Sequence, residues 1–211
     1  MSRAFTKIAF TPSVKTVQSL YGSRAAYATL EAGDDTGDTL TARETEFIRA
    51  RDSFYQATVG ETGWPYVQFR GGPVGFLRVL DSRTIGYADF RGNRQYLSVG
   101  NLNADGRVAL ILVDYPNRRR LKVWGRARLI HGSENPEWLA RLEMPGYRAQ
   151  VERAIVIAVE AYDWNCPQHI TPRFTEAEVA LAATEMQQEL AGLKSENAKL
   201  KAALSWKEHT P

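Results

Sequence analysis

Two periodicities divide the chain. Across residues 54–164, apolar residues come in short runs that Gly, Pro, Asn and Asp interrupt. That pattern predicts strands joined by tight turns. From Thr175 onward the apolar positions recur every three or four residues, the spacing of one helical face. Residues 1–40 show neither pattern and are expected to be irregular, with a polar loop over 33–38.

The elements follow from that division. Thr41-Ala42-Arg43-Glu44 has the form of a capping box, and Phe47 and Ile48 give an apolar side, so a helix is predicted over 41–51. Ala57-Thr58-Val59, the turn at 60–63 and a strand over 64–70 come next. Residues 76–80 and 84–87 predict a hairpin across Asp81-Ser82-Arg83, and 92–102 a short helix. The two clearest strands are 108–115 and 121–130. Helical pieces are expected at 136–142 and 147–153, then a strand over 154–164. Six or seven strands on short connections imply antiparallel pairing, in a barrel rather than a doubly wound sheet.

The tail has its own logic. Thr175-Glu176-Ala177-Glu178 is a second capping box. Ala183, Leu190, Asn197 and Leu204 then take heptad position a, and Met186, Leu193 and Leu200 take d. A lone Asn at a favours a parallel pair in fixed register, because two such side chains can bond across the seam. The tail is therefore expected to form a dimeric coiled coil. An amphipathic helix packed on its own barrel is the competing reading. The organisation expected is an extension over 1–40, a barrel over 41–173 and a helix over 174–211.

Composition narrows the chemistry. With 211 residues the chain suits one large domain or a domain with an appendage. The single cysteine, Cys166, excludes an internal disulfide framework and a Cys-only metal cage, and fits a reducing cytoplasm. No apolar run approaches the roughly 20 residues of a spanning helix. The first ten residues lack an apolar segment, so no signal peptide is expected. A net charge of +3 permits an anionic ligand without marking a dedicated DNA binder.

Several sites are excluded by motif. There is no Gly-x-Ser-x-Gly elbow, no Walker A loop and no Gly-x-Gly-x-x-Gly after a strand. His131, His169 and His209 are far apart in sequence, so no metal site is expected. Four segments remain as candidates. Gln68 and Arg70 share a face of the strand ending at Gly71-Gly72. Asp89-Phe90-Arg91-Gly92-Asn93-Arg94-Gln95 ends a strand and opens a helix, which suits an anion site or a solvated turn. Arg118-Arg119-Arg120-Leu121-Lys122 is a basic run, either a solvated edge or a contact for phosphate or nucleic acid. Trp164-Asn165-Cys166-Pro167-Gln168-His169 is dense in hydrogen-bonding groups.

Together these segments resemble the split-barrel flavoproteins related to pyridoxamine 5′-phosphate oxidase, in the branch described as predicted flavin-nucleotide-binding proteins. The resemblance runs over 47–173. It is most specific in Gly60-Glu61-Thr62-Gly63-Trp64-Pro65-Tyr66-Val67-Gln68-Phe69-Arg70-Gly71-Gly72-Pro73 and Gly92-Asn93-Arg94-Gln95-Tyr96. It implies a mainly β fold, a six-stranded antiparallel split barrel with peripheral helices. It also implies a homodimer with FMN at the subunit interface. Tyr66, Val67, Gln68 and Arg70 would lie along the isoalloxazine, and Asn93, Arg94 and Gln95 at the phosphate. Arg120 falls where the oxidases carry a glutamine facing the flavin. Trp164, Asn165, Gln168 and His169 would close the site or come from the partner subunit. The oxidases' Arg-x-His substrate segment and Arg-Leu-x-Pro close are absent. FMN binding is thus implied, and vitamin B6 phosphate oxidation loses its substrate segment.

Three functions compete on this reading. The first is a flavin oxidoreductase acting on a small molecule, with NADH or NADPH as a possible reductant and His169 as candidate proton donor. The second is a non-catalytic flavin module, a sensor or electron-transfer partner. The third and weakest is a nucleic-acid binder using residues 118–122, whose binding would fall steeply with salt. The sequence leaves FMN, FAD and deazaflavin undivided.

Overall fold

The computed structural model describes residues 1–33, 36–131, 135–164 and 167–208, with the backbone alone for 202–208. The chain divides into two compact units, Met1–Ile170 and Thr171–Pro211. Among the described residues no helix is long and apolar enough to cross a membrane.

Seven strands make one antiparallel sheet in the first unit: β1 (Ser53–Val59), β2 (Pro65–Gly71), β3 (Arg78–Asp81), β4 (Thr84–Phe90), β5 (Arg107–Asp114), β6 (Arg119–His131) and β7 (Val151–Trp164). Their order is β2-β1-β5-β6-β7-β4-β3. The six strands that the resemblance implies are seven here, counting the short β3, which pairs with β4 in the hairpin expected across Asp81-Ser82-Arg83. Side chains alternate strictly on β5, with Val108, Leu110, Leu112 and Asp114 buried. Opposite them on β6, Leu121 and Val123 are fully buried while Arg120, Lys122 and Trp124 face the other way. Those inward positions, with Ile155 and Ile157 of β7, form the core.

One inward stripe is polar. On β1, Gln56 and Thr58 are buried where apolar residues would be expected. The Tyr87 hydroxyl donates to Gln56 Oε1 at 2.5 Å, and Asn101 Nδ2 donates to Thr58 Oγ1 at 3.0 Å. Burial pushes the Tyr87 hydroxyl above the ordinary tyrosine range, so it stays a donor. Phe54, Phe76 and Tyr87 pack around it with ring centroids 5.2–6.3 Å apart.

The first forty residues depart from expectation. They carry α1 (Arg3–Ala9), α2 (Pro12–Leu20) and α3 (Arg24–Ala32). Thr11 caps α2 by accepting from the Val14 amide, and Pro12 takes the first helical position. Phe5 of α1 packs on Trp124 with centroids 4.3 Å apart. These helices have too few turns for a period to stand out, and α1 is fixed mainly by contact with the sheet.

Two further boundaries move. The helix expected from residue 92 is α5 (Leu97–Ala104), because Arg94 and Tyr96 adopt φ of 64° and 55°, which interrupts a helix. Residues 147–153 were expected to be helical; instead Val151 starts β7 and Arg153 pairs with Asp89 on β4. The expected α6 (Pro136–Leu142) is in place.

The capping box at Thr41 opens α4 (Ala42–Arg49). Glu44 accepts from the Thr41 amide at 3.0 Å and from the Trp164 indole N–H at 2.6 Å. Burial alone would raise its pKa, but the Thr41 and Trp164 hydrogen bonds together hold it below the usual glutamate value. A depressed folded pKa gives stability that is present above the unfolded value and lost as pH falls through the folded one. Glu44→Gln is therefore expected to lower the unfolding free energy by about 1–2 kcal/mol at neutral pH. Its difference from wild type should narrow as denaturation curves are taken down to about pH 3. A gap that widens on acidification would refute this role.

In the second unit, Thr175 caps α7 (Glu176–Glu208). Its amide and hydroxyl donate to Glu178 Oε2 at 2.7 and 2.9 Å, and the Glu178 amide donates back to its hydroxyl.

Candidate functional site

The sheet's ends meet through side chains. β2 is an edge strand and β4 lies five strands away in the order, yet Arg70 Nη1 sits 2.7 Å from Asp89 Oδ1. The sheet is curled and left open by its backbone, and this ion pair spans the opening. Arg70 shares the inward side of β2 with Tyr66 and Gln68, opposite Phe54, Thr58 and Gln56 of β1 respectively. The polar stripe thus leads directly to the opening.

A cavity of about 220 Å³ lies there. Its walls are those three residues, the segment 92–96, the first turn of α5, and Asp89, Glu152 and Arg153 from β4 and β7. Asp89 is 4% exposed and bonded by two guanidiniums, since Arg153 Nη1 reaches its other oxygen at 2.5 Å. Arg153 Nη2 also pairs with Glu152 at 2.9 Å. Such charge-assisted contacts fix both arginines in place. The Nε atoms of Arg70 and Arg153 nevertheless remain buried without an acceptor. A buried donor left unbonded costs about 1–3 kcal/mol, which sets a local cost against the two ion pairs.

The 92–96 segment adds more donors. The Arg91 amide donates to the Gln150 carbonyl, which ties the segment to the chain just before β7. Gln95 N–H donates to Asn93 Oδ1 at 3.2 Å, a tight Asx turn. Tyr96 covers Arg153 at 5.1 Å and donates to Glu152 Oε1 at 3.0 Å. Arg94 Nε donates to the Tyr96 hydroxyl at 3.4 Å. Tyr96 precedes α5 and contributes no side-chain cap, so the helix presents free amides to the cavity. Ser98, in its first turn, donates to Gln68 Oε1 at 2.8 Å and locks the helix to β2. Three guanidiniums against two carboxylates, with an uncapped helix start, form a site for an anion.

Of the residues singled out in the sequence, Tyr66, Gln68, Arg70, Asn93, Arg94 and Gln95 come together here. Val67 does not; strand alternation puts it on the outer face, 60% exposed. Arg120 is on that face too, opposite Val113, with a buried Nε lacking an acceptor. Trp164 is taken up structurally: it bonds Glu44, meets the Phe47 ring edge-on at 4.8 Å and is covered by the Arg43 and Arg119 guanidiniums. Gln168 and His169 lie in an exposed turn beyond β7, with His169 at φ 63°, and neither lines the cavity. Asn165 lies outside the described residues.

Glu152, Arg153 and Ser98 are the site residues that sequence reasoning missed, while Asp89 and Tyr96 lie in its candidate segments without an assigned role. The available signal was an Glu-Arg pair immediately before the apolar run 154–159, where a charge is expected to have a partner. The outer face holds a second feature. Tyr55, Val67, Phe69 and Ile111 are exposed on adjoining strands β1, β2 and β5 beside an apolar hollow of about 290 Å³.

Comparisons with known proteins now bear on the site. Residues 40–165 match the family model for pyridoxamine 5′-phosphate oxidase. No curated protein matches the chain. Among solved structures, HupZ of Group A Streptococcus is 17% identical with a TM-score of 0.46, over 64% of this chain and 99% of that one. An FMN-binding protein of Syntrophomonas wolfei is 17% identical with a TM-score of 0.44, over 70% and 97%. A conserved hypothetical protein of Mycobacterium tuberculosis is 17% identical with a TM-score of 0.47, over 68% and 96%.

Proposed function

Because the chain belongs to the pyridoxamine 5′-phosphate oxidase family of flavin-binding split barrels, we propose that it is an FMN-binding flavoprotein, an oxidoreductase acting on a small molecule in the cytoplasm. The observation that carries this reading is one cavity lined by the Arg70, Arg94 and Arg153 guanidinium groups together with the uncapped first turn of α5. That donor set fits a phosphate monoester. Asn93, Arg94, Gln95 and the α5 amides would hold the phosphate, with Arg70 at its inner side. At about 220 Å³ the cavity is smaller than the roughly 300–1,000 Å³ of a whole-ligand site. It therefore seats the phosphate end, and the ring would continue past it along the backbone of the edge strand β2 at Tyr66, Val67 and Gln68.

The rest of the site is supplied by a second copy in a homodimer. The exposed apolar face of β1, β2 and β5 is the surface for that copy. Val67 and Arg120, both on the outer face, then belong to the shared part of the site, as do Gln168 and His169 beyond β7, and Asn165 is assigned to it from the sequence alone, while Trp164 stays with the α4 cap. Residues 41–173 form the flavin domain, with 1–40 and 174–211 as appendages, the latter a coiled coil in the same homodimer.

Bound flavin supplies hydride and electron transfer. The chain supplies position and charge: Asp89 orients Arg70 and Arg153, and Tyr96 shields Arg153 from water. His169 is the proposed proton donor, an exposed imidazole in the turn beyond β7. A second reading, flavin held as a store or electron-transfer partner, is favoured by one observation: among the described residues no histidine lines the cavity.

Purified protein should be yellow and release FMN on denaturation. Arg94→Ala should weaken FMN binding about ten- to a hundredfold, the worth of one charge-assisted hydrogen bond. A colourless protein that takes up no added FMN sinks the flavin reading. Anaerobic bleaching by NADH or NADPH with recovery in air selects the oxidoreductase over the store. Unchanged turnover in His169→Asn would remove that residue's role.

A further inference from the structure

We infer that α7 pairs with the α7 of a second copy of this chain as a parallel, in-register, two-stranded coiled coil. The inference rests on the homodimer proposed above and is independent of the flavin.

α7 runs for 33 residues. Its side chains are exposed from Glu176 to Lys201. Met186, Leu190, Leu193 and Leu200 are 70%, 51%, 56% and 57% exposed, and all four occupy the a/d seam. Large apolar side chains at a and d spacing are what helix pairing removes from water. Helix propensity alone stabilises such a segment only marginally, so packing of this seam is the missing contribution.

The charges beside the seam decide direction. Glu189 and Glu196 fall at position g, and Lys194 and Lys201 fall at e. Each lysine follows a glutamate by five residues. Neighbours on one helix are three or four apart, and those places before the lysines hold Leu190, Ala191, Asn197 and Ala198. The lysines therefore have no acidic neighbour upstream on their own helix. Five residues is instead the step from g to the facing e position of a parallel partner. Glu189 then meets the partner's Lys194, and Glu196 meets the partner's Lys201, each twice by symmetry. In an antiparallel pair g faces g and e faces e, which sets glutamate against glutamate and lysine against lysine.

Asn197 selects the same arrangement. In a parallel, in-register pair it faces its own copy, and the two amides bond each other. Reversal, or a shift by one heptad, would set it against leucine, methionine or alanine and leave its amide unpaired. Charge and polarity thus agree on one direction and one register.

Disulfide trapping on the full chain tests this. In a Cys166→Ser background, Ala183→Cys and Leu200→Cys are made separately, at exposed positions near the two ends of the seam. Each alone is expected to give a disulfide-linked dimer on mild oxidation. Adding Glu189→Lys with Glu196→Lys should cut the yield severalfold, and adding Lys194→Glu with Lys201→Glu should restore it. Linkage only when the two cysteine variants are mixed would mean an antiparallel pair and overturn the inference. No linkage in a chain whose mass in solution is that of a dimer would overturn the coil alone. No linkage in a chain of monomer mass would overturn the homodimer with it.

Discussion

Asp89→Ala is expected to lower the unfolding free energy by about 3–5 kcal/mol, the usual cost of removing one partner from a buried ion pair. Asp89 is 5% exposed at its side chain, and its partners Arg70 and Arg153 are 15% and 10% exposed. Without the carboxylate, two poorly solvated guanidiniums face each other across the opening of the sheet, and neither has another carboxylate on Asp89's side. Arg153 keeps Glu152, so Arg70 is the group left unpaired. Urea denaturation of the two proteins measures the difference, and a loss under about 1 kcal/mol would refute the bridging role. An anion that binds only the folded state adds back stability, about 2.7 kcal/mol at a hundredfold excess over its Kd. Added FMN should therefore raise the denaturation midpoint of the variant, whereas riboflavin without a phosphate should do so less.

A single methyl group at Gly125 should be comparably damaging. A Cβ there would lie 2.3 Å from the Ala158 carbonyl oxygen and 2.9 Å from Ile157 Cγ2. The β6–β7 register slips at this point, from Trp124 opposite Ala161 to Gly125 opposite Val159, so that Glu160 bulges out. Backbone, not a flexible side-chain tip, occupies the space. Gly125→Ala must push apart the two longest strands, and a loss of about 3 kcal/mol or more is expected. Circular dichroism through a denaturant series measures it. A variant as stable as wild type would show that the bulge has room.

The elements of the fold were legible where they were long or punctuated. The alternation of Val108, Leu110 and Leu112 and the capping boxes at Thr41 and Thr175 are local signals, and each marks an element that is present. The hairpin across Asp81-Ser82-Arg83 was legible too, although its first strand, expected over 76–80, is the four-residue β3. Residues 147–153 have helix-compatible composition, but pairing with β4 draws 151–153 into β7. The three N-terminal helices escaped for the same reason that they are short: their order depends on contact with other elements.

The site was legible by halves. Gln68, Arg70 and the 93–95 turn stood out because two short stretches gather polar, basic and glycine residues. Asp89 heads the same candidate segment, but its partner Arg153 did not stand out, since 64 positions separate the two in the chain. Trp164 looked like a ligand contact because a tryptophan beside amides is rich in chemistry; its indole N–H is committed to Glu44, 120 positions away.

By itself the sequence determined the strand-rich class, the family resemblance and the heptads of the tail, because each is carried by residues close together along the chain. Only the tertiary structure decided that Arg70 and Asp89 meet across an open sheet, that Val67 and Arg120 face away from the cavity, and that Trp164 serves a helix cap. Those outcomes depend on how the sheet curls. Curling brings distant strands together and sorts alternate residues to opposite faces, and no local spacing records which partners it will supply.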